Sequence, residues 1–200
     1  MIAALLAGVA RVISGATVRW SGCAPDTRSR VYFANHTSHF DFLVLWSALP
    51  GEVRAVTRPV AAKDYWEAGR LRRYFATRVF RAVLIDRRHL ADEDDPVEVM
   101  LTAMGDRHSL ILFPEGTRGT SGEVGPFRGG LYDLALLRPQ AELVPVYIEN
   151  LNRILPKGEF LPLPLMSSVT FGPVLRVGVG ETKAAFLERA RGAILSLSTP

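Results

Sequence analysis

Short apolar runs of strand length alternate with helix-length segments along this 200-residue chain, and this alternation restricts the possible folds. The apolar runs predict strands at residues 16–20, 30–34, 53–57, 83–85, 109–113, 143–148 and 168–171. Between them, residue patterns predict helices at 42–49, 63–80, 96–106, 131–137 and 181–197. Alternation of this kind is typical of parallel sheets, because a crossover helix connects one parallel strand to the next. We therefore expect one α/β domain, with a mixed, largely parallel sheet flanked by helices.

The first twenty residues predict a helix that lies on a surface. Apolar side chains recur at helical spacing at Leu5, Leu6, Val9, Val12 and Ile13. Arg11 interrupts this run near its middle, where a charge inside a bilayer would cost about 3 kcal/mol. We therefore expect an amphipathic helix within residues 1–20 that lies on a membrane or packs against a domain at 16–200, without crossing a bilayer.

The basic residues are nearly all arginine, which favours anionic partners. The chain has 24 basic and 20 acidic residues, a formal net charge of +4, and lysine only at positions 63, 157 and 183. Guanidinium groups match phosphate geometry, so lipid headgroups, phosphorylated metabolites and nucleic acid all fit. An arginine-rich composition also follows from codon usage, so charge alone assigns no partner. The single cysteine, Cys23, excludes an internal disulfide, fits a cytoplasmic location and has no neighbouring group to activate it.

The predicted helix at 63–80 and the residue just after it concentrate the positive charge. Its arginines are Arg70, Arg72, Arg73, Arg78 and Arg81, and its aromatic residues are Trp66, Tyr74, Phe75 and Phe80. This mixture suits an anionic bilayer surface, where each basic residue contributes about 1 kcal/mol. An acidic carrier protein, the phosphates of coenzyme A and nucleic acid fit the same charge, and a solvated helix face explains it without any partner.

Residues 35–41 follow one predicted strand and open a helix, which is where α/β proteins place their sites. If His36 lies in the loop and Asp41 in the first helical turn, the two side chains can meet, with Ser38 as the helix N-cap. The imidazole would then be a general base oriented by the carboxylate. The pattern Ser-x-x-Asp is equally a capping box that needs no catalysis. A metal site formed by His36, His39 and Asp41 is a third interpretation, but no further ligand is evident.

A second candidate segment, residues 111–119, places a buried strand before a glycine-containing loop. Pro114 ends the strand, and Gly116 and Gly119 allow main-chain N–H groups to approach a ligand closely. Arg118 adds a guanidinium to the same loop. These features predict a phosphate-binding loop that differs from the P-loop pattern. A surface turn with a solvated arginine is the alternative.

Both segments resemble signature blocks of the glycerolipid acyltransferase family, which includes bacterial 1-acylglycerol-3-phosphate acyltransferases. The first block is Asn35-His36-x4-Asp41, and the second, about seventy residues later, is the run Phe-Pro-Glu-Gly-Thr-Arg at 113–118. Residues 83–87 and 144–148 are similar to two further blocks of the family. The likeness spans about residues 16–195, and four blocks in the family's order are far more specific than a lone His-x4-Asp.

The resemblance implies direct acyl transfer without an acyl-enzyme. His36 would remove the proton of the acceptor hydroxyl, and Asp41 would hold the imidazole in the required tautomer. The residues that would bind the acceptor are Arg87, Glu115, Gly116, Thr117, Arg118 and Arg128. Arg87 and Arg118 would contact its phosphate, whereas a surface role for Arg128 is the alternative.

The substrates and location also follow from the resemblance. The acceptor would be a lysophospholipid, above all 1-acyl-sn-glycerol-3-phosphate, and the product phosphatidic acid. The donor would be acyl-CoA or acyl carrier protein, and we expect no metal or cofactor because a thiolate is a good leaving group. We expect a peripheral or monotopic protein at the anionic, cytoplasmic face of the cell membrane, and no nucleic acid partner.

This chain departs from the family's usual pattern at several positions, which leaves the acceptor open. Ala82 stands where the family has glycine, Gly119 where it often has serine, and Tyr147-Ile148 where it has a further proline. Another lysophospholipid, a lyso-ornithine lipid or glycerol-3-phosphate are alternative acceptors. A non-catalytic module that binds anionic lipids is the alternative of a different class.

Overall fold

The computed structural model describes residues 2–38, 40–86, 95–119, 123–149 and 167–198. Within these ranges, the strands are β1 (Thr17–Trp20), β2 (Arg30–Ala34), β3 (Thr57–Ala62), β4 (Val83–Ile85), β5 (Ser109–Leu112), β6 (Glu142–Glu149) and β7 (Ser168–Phe171). The helices are α1 (Ile2–Ser14), α2 (Asp41–Ala48), α3 (Gly51–Ala55), α4 (Lys63–Trp66), α5 (Arg70–Tyr74), a π-helix (Phe75–Val79), α6 (Pro96–Met104), α7 (Gly130–Leu137) and α8 (Lys183–Leu195).

The strands form one sheet with the order β1-β7-β6-β2-β5-β3-β4. Parallel pairing joins β6, β2, β5, β3 and β4 in turn, and β1 pairs parallel with β7. Only the pairing between β6 and β7 is antiparallel among these described strands. The expected mixed, largely parallel sheet flanked by helices is confirmed.

Hydrophobic clusters cover both faces of the sheet. On one face, α1 and α2 pack over a cluster that includes Tyr32, Trp46 and Phe171. On the other face, α6, α7 and α8 pack over a cluster that includes Phe33 and Phe186. The central strand β2 is buried along its whole length. An apolar run of this kind is typical of a parallel strand covered on both sides, because neither face meets water.

Several predicted strands have the observed bounds, notably 30–34, 83–85 and 168–171. The prediction of a strand at 53–57 was wrong, because the helix α3 occupies Gly51–Ala55 and β3 begins only at Thr57. Val53 lies on this short helix and its side chain is buried, so its apolar character reflects contact with the core. A short apolar run has no periodicity that distinguishes strand from helix.

The prediction of a single helix at 63–80 was also wrong. Gly69 adopts an extended backbone, with φ −169° and ψ 148°, and separates α4 from α5. The π-helix then continues from α5, and Arg81 follows it with a φ of 51°. The aromatic side chains Trp66, Phe75 and Phe80 turn into the core that contains α2, while the arginines stay exposed.

The N-terminal helix packs through its small residues and exposes its large ones. Ala7, Ala10 and Ser14 are buried, and Leu6 packs against the core. Exposed apolar side chains form a stripe, Leu5, Val9, Val12 and Ile13. Among the described residues, no helix has the length and apolarity needed to cross a membrane.

Arg11, which interrupts the apolar run in the sequence, binds the end of α2. Its Nε donates to the carbonyl of Ser47 at 2.6 Å, and its Nη2 to the carbonyl of Leu49 at 3.3 Å. Carbonyls at a helix C-terminus have no partners within the helix and carry partial negative charge, so a guanidinium satisfies them well. The charge therefore anchors α1 to the C-terminal end of α2.

Candidate active site

The candidate site lies where the loops after β2 and β5 meet. Both strands run parallel, so their carboxyl ends share one edge of the sheet. The chain leaves β2 towards α2 on one face and leaves β5 towards α7 on the other face. Connections that diverge in this way open a crevice between neighbouring strands, which is the usual ligand site of open α/β sheets. His36 follows β2 and Glu115 follows β5, so both predicted segments border this crevice.

His36 and Asp41 are in direct contact. The Nδ1 atom of His36 lies 2.8 Å from Oδ2 of Asp41. That oxygen also accepts the main-chain N–H groups of Thr37 at 2.6 Å and Ser38 at 2.8 Å. Asp41 has no exposed surface, and among the described residues its other oxygen, Oδ1, has no hydrogen-bond partner. The segment from His36 to Asp41 therefore folds into a loop around the carboxylate of Asp41.

The helix start differs from the predicted one. We expected Ser38 as the N-cap, but α2 begins at Asp41, and Phe40 is its N-cap without a side-chain cap hydrogen bond. The Ser38 hydroxyl instead accepts the N–H of Phe40 at 3.3 Å. The carboxylate of Asp41 accepts the N–H of Ser38, as in a capping box, and binds His36 with the same atom. The capping-box interpretation and the interpretation of His36 as a general base therefore describe the same arrangement.

The donors around Asp41 determine the tautomer of His36. An ionised carboxylate only accepts hydrogen bonds, and two main-chain N–H groups already point at Oδ2. The hydrogen between Asp41 and His36 therefore belongs to Nδ1 of the imidazole. In a neutral imidazole with this tautomer, the lone pair is on Nε2, which is the arrangement required of a general base.

Phe113 fixes the plane of the imidazole. The two rings stack with centroids 4.4 Å apart and an interplanar angle of 24°. Phe113 covers one face of His36 and Asp41 holds one edge, yet 21% of the His36 side chain is exposed. The imidazole is therefore oriented by packing and by a hydrogen bond and still accessible from the crevice.

Glu115 joins the two loops of the site. Its Oε1 accepts the main-chain N–H of His36 at 2.8 Å, and its Oε2 accepts that of Gly125 at 3.0 Å. The carbonyl of His36 in turn accepts the N–H of Gly119 at 2.9 Å. Both oxygens of the buried carboxylate are thus engaged with the main chain, and its expected contact with the acceptor remains a prediction.

Gly116 of the glycine loop lies against the side chain of Arg128. Gly116 has a φ of 72°, and a Cβ atom there would lie 2.4 Å from Nε of Arg128. That Nε donates to the carbonyl of Glu115 at 3.3 Å. Thr117 and Arg118 are exposed. The Arg128 guanidinium therefore lies beside Glu115, which holds the main chain of His36, and Arg118 is exposed on the same loop; their binding of a phosphate remains a prediction.

Arg87 lies outside the described residues, as does His39. The preceding strand β4 runs parallel to β3, so Asp86 leaves the sheet at the edge where His36 also lies. Among the described residues, no group of three or more His, Cys, Asp and Glu side chains could hold a metal ion. Cys23 is half-buried, and burial raises the pKa of its thiol, so the environment does not activate it as a nucleophile.

The sequence analysis did not identify Phe113 and Asn35 as functional residues, although both contribute to the site. Phe113 was quoted only as part of a motif, although it stacks on His36. Asn35 is buried and binds the main chain of Ile148 with both polar atoms of its side chain. A polar residue at the end of an otherwise apolar strand was the available signal, since such a residue needs partners when it is buried.

The fold agrees with the comparisons to known proteins. The sequence profile of the Acyltransferase family matches residues 17–149, which is most of the chain. The protein belongs to this acyltransferase family.

Individual relatives are named for one activity. The 1-acyl-sn-glycerol-3-phosphate acyltransferase of Limnanthes douglasii is 28% identical over 176 residues, which cover 84% of this chain and 58% of that protein. The 1-acyl-sn-glycerol-3-phosphate acyltransferase alpha of Homo sapiens is 31% identical over 134 residues, which cover 66% of this chain and 45% of that protein. The chain thus spans about half the length of these curated relatives.

A solved structure shares the fold. The crystal structure of the 1-acyl-sn-glycerophosphate (LPA) acyltransferase PlsC from Thermotoga maritima superposes with a TM-score of 0.75 at 16% identity. The match covers 100% of this chain and 79% of that one.

Proposed function

We propose that this protein transfers a fatty acyl group from a thioester donor to the free hydroxyl of 1-acyl-sn-glycerol-3-phosphate, which yields phosphatidic acid. The observation that carries the proposal is the His36–Asp41 pair, in which Nδ1 lies 2.8 Å from a buried carboxylate and Nε2 is left as the base. The names of the relatives support this acceptor.

In the proposed reaction, Nε2 of His36 takes the proton of the acceptor hydroxyl while its oxygen attacks the thioester carbonyl. The carbon–sulfur bond breaks, the ester forms, and the imidazolium returns its proton to the thiolate. Asp41 stabilises the imidazolium and maintains the tautomer. Positioned base catalysis of this kind contributes about 10²- to 10⁴-fold. Thiolate is already a good leaving group, so we propose that no metal or cofactor takes part.

Arginines near the crevice supply the charge for the acceptor phosphate. Arg118 lies next to Gly119, whose N–H binds the carbonyl of His36, so an anion bound at this loop would be close to the base. Arg128 is held over Gly116 by the carbonyl of Glu115. We assign the phosphate to Arg118 and, on the family resemblance, to Arg87, with Arg128 as a further ligand. Other lysophospholipids, a lyso-ornithine lipid or glycerol-3-phosphate are the competing acceptors, and acyl-CoA or acyl carrier protein is the donor.

We propose peripheral binding to the cytoplasmic face of the cell membrane through α1. Its exposed stripe, Leu5, Val9, Val12 and Ile13, covers the side of the helix opposite its contact with α2. Burial of apolar surface in the interface would hold the helix there, and α1 packs on the helix that carries Asp41.

Release of thiol from acyl-CoA, measured with and without 1-acyl-sn-glycerol-3-phosphate, tests the proposal. We expect acceptor-dependent release that His36→Ala abolishes while binding to vesicles persists. His108→Ala is the matched control, since His108 is also a partly buried histidine bonded to a charged side chain, Arg58, but lies just before the amino end of β5. Vesicle binding without thiol release would favour the non-catalytic lipid-binding module. Release with another acceptor alone would assign that acceptor instead.

A further inference from the structure

Strand β6 extends past the point where β2 leaves the sheet. The parallel pairing of the two strands ends at Ala34 opposite Val146, whereas β6 continues to Glu149. Ile148 therefore has a main-chain N–H and a carbonyl directed at a position where no strand follows. Buried main-chain groups need partners, so this end of β6 requires another donor and acceptor.

The Asn35 side chain supplies both. Its Nδ2 donates to the carbonyl of Ile148 at 2.9 Å, and its Oδ1 accepts the N–H of Ile148 at 2.8 Å. Asn35 is 3% exposed, so these hydrogen bonds are shielded from water. The carboxamide thus takes the place of the main chain and prolongs the β2–β6 ladder by one side chain.

The consequence falls on the next residue, His36. On the β5 side, its N–H is bound by Glu115 and its carbonyl by Gly119. On the β6 side, the link is Asn35. Removing Asn35 would break the attachment of the loop to β6 and leave it held by β5 and by Asp41, so the main chain of His36 would be less firmly placed.

We propose that Asn35 is a positioning residue for the His36 base, which deepens the proposed acyltransferase function and rests on it. Asn35 contacts no reacting atom in this scheme and acts by fixing the main chain of His36, and hence the direction of Nε2. Misplacement of a catalytic group by about 1 Å costs up to about 10²-fold in rate.

The structure offers a control at the opposite edge of the same sheet. Ser109 begins β5, is fully buried, and also makes two hydrogen bonds to the main chain of β2 and its approach. Its Oγ accepts the N–H of Arg30 at 3.0 Å and donates to the carbonyl of Arg28 at 3.2 Å. Ser109→Ala therefore removes two side-chain hydrogen bonds to the main chain, the same number as Asn35→Ala, at the opposite end of β2 from His36.

The experiment compares Asn35→Ala with Ser109→Ala in the full chain. Thiol release from acyl-CoA with 1-acyl-sn-glycerol-3-phosphate gives kcat and KM, thermal unfolding gives Tm, and NMR of ¹⁵N-labelled histidine gives the His36 tautomer. We expect both variants to lose Tm, but only Asn35→Ala to lose kcat, by at least about tenfold, with KM for the acceptor within about twofold. The His36 signals, assigned by their absence in His36→Ala, should shift from their wild-type positions in Asn35→Ala alone.

Asn35→Leu is the second variant, for the case in which Asn35→Ala does not fold. It preserves side-chain volume and leaves no cavity, but it offers Ile148 neither a donor nor an acceptor, so kcat should still fall. Unchanged kcat and His36 signals in the folded Asn35 variant, or an equal loss of kcat in Ser109→Ala, would overturn the positioning role. If the wild-type protein releases no thiol with any acceptor, the proposed function fails, and the NMR comparison still decides whether Asn35 orients His36.

Discussion

The main-chain N–H of His36 donates to the buried carboxylate of Glu115 across 2.8 Å, so the two sequence blocks that contain these residues are joined directly. The second carboxylate oxygen of Glu115 accepts the main-chain N–H of Gly125, which lies farther along the chain after β5. The carboxylate therefore connects the segment that carries the base with the segment that carries Arg118. Changes at either loop should affect both chemistry and acceptor binding.

Glu115→Gln should lower both stability and kcat. Glutamine has one accepting oxygen, so its NH2 group would face a main-chain N–H of His36 or Gly125, and a buried donor without an acceptor costs about 1–3 kcal/mol. Urea unfolding should show a loss of that size, and kcat should fall about tenfold because His36 moves. Glu149→Gln is the control, since that exposed carboxylate binds only the hydroxyl of Ser168 among described residues. Equal behaviour of the two variants would remove Glu115 from the site.

Asp41→Asn should abolish most activity while the protein still folds. The amide oxygen can take the place of Oδ2 towards Thr37, Ser38 and Nδ1 of His36, but a neutral amide no longer stabilises the imidazolium, and its NH2 group is buried where Oδ1 has no partner among the described residues. We expect kcat to fall about 10²- to 10⁴-fold. The control is Asp133→Asn, which breaks an ion pair of 2.7 Å with Lys183 on α8 and should leave kcat unchanged. A loss of less than about threefold in Asp41→Asn would contradict the assigned role.

Gly116→Ala should disturb the position of Arg128 in addition to straining the backbone. Gly180 provides the comparison, because its φ of 71° matches the 72° of Gly116, yet nothing lies within 4 Å of a Cβ atom there. Both alanine variants should lose about 1 kcal/mol for the left-handed conformation. Only Gly116→Ala should raise KM for the acceptor, by about tenfold, as steady-state kinetics would measure. An unchanged KM would place Arg128 outside the acceptor site.

Replacing Leu5 and Val12 together by serine should weaken binding to anionic vesicles without loss of stability. These side chains are 69% and 84% exposed, so their removal should change the free energy of unfolding by less than about 0.5 kcal/mol each. Each loses about 1–3 kcal/mol of burial in the interface, so sedimentation with vesicles should show at least tenfold weaker binding. The double variant Leu136→Ser with Leu137→Ser, on α7 across the sheet, should bind as the wild type does. Equal losses in both would argue against α1 as the contact.

The sequence was most informative where local pattern and tertiary environment agree. Strand β2 is apolar because both of its faces are buried, and its predicted bounds are the observed ones. The prediction at 53–57 was wrong because a short apolar run has no distinguishing period, and only the packing of Val53 against the core decides for a helix. The prediction of one helix at 63–80 was wrong because the extended backbone of one residue, Gly69, interrupts a segment whose average helix propensity is favourable.

The sequence by itself determined the alternation of strands and helices, the family, and the local loop in which Asp41 returns to His36, since these depend on near neighbours and short-range geometry. Only the tertiary structure decided that β5 lies beside β2, that Glu115 reaches the main chain of His36, and that Asn35 completes the end of β6. It also decided that the Arg11 guanidinium binds carbonyls at the end of α2. Such contacts join residues far apart in the chain, and their stability comes from burial and hydrogen bonding across the whole sheet, which no local pattern contains.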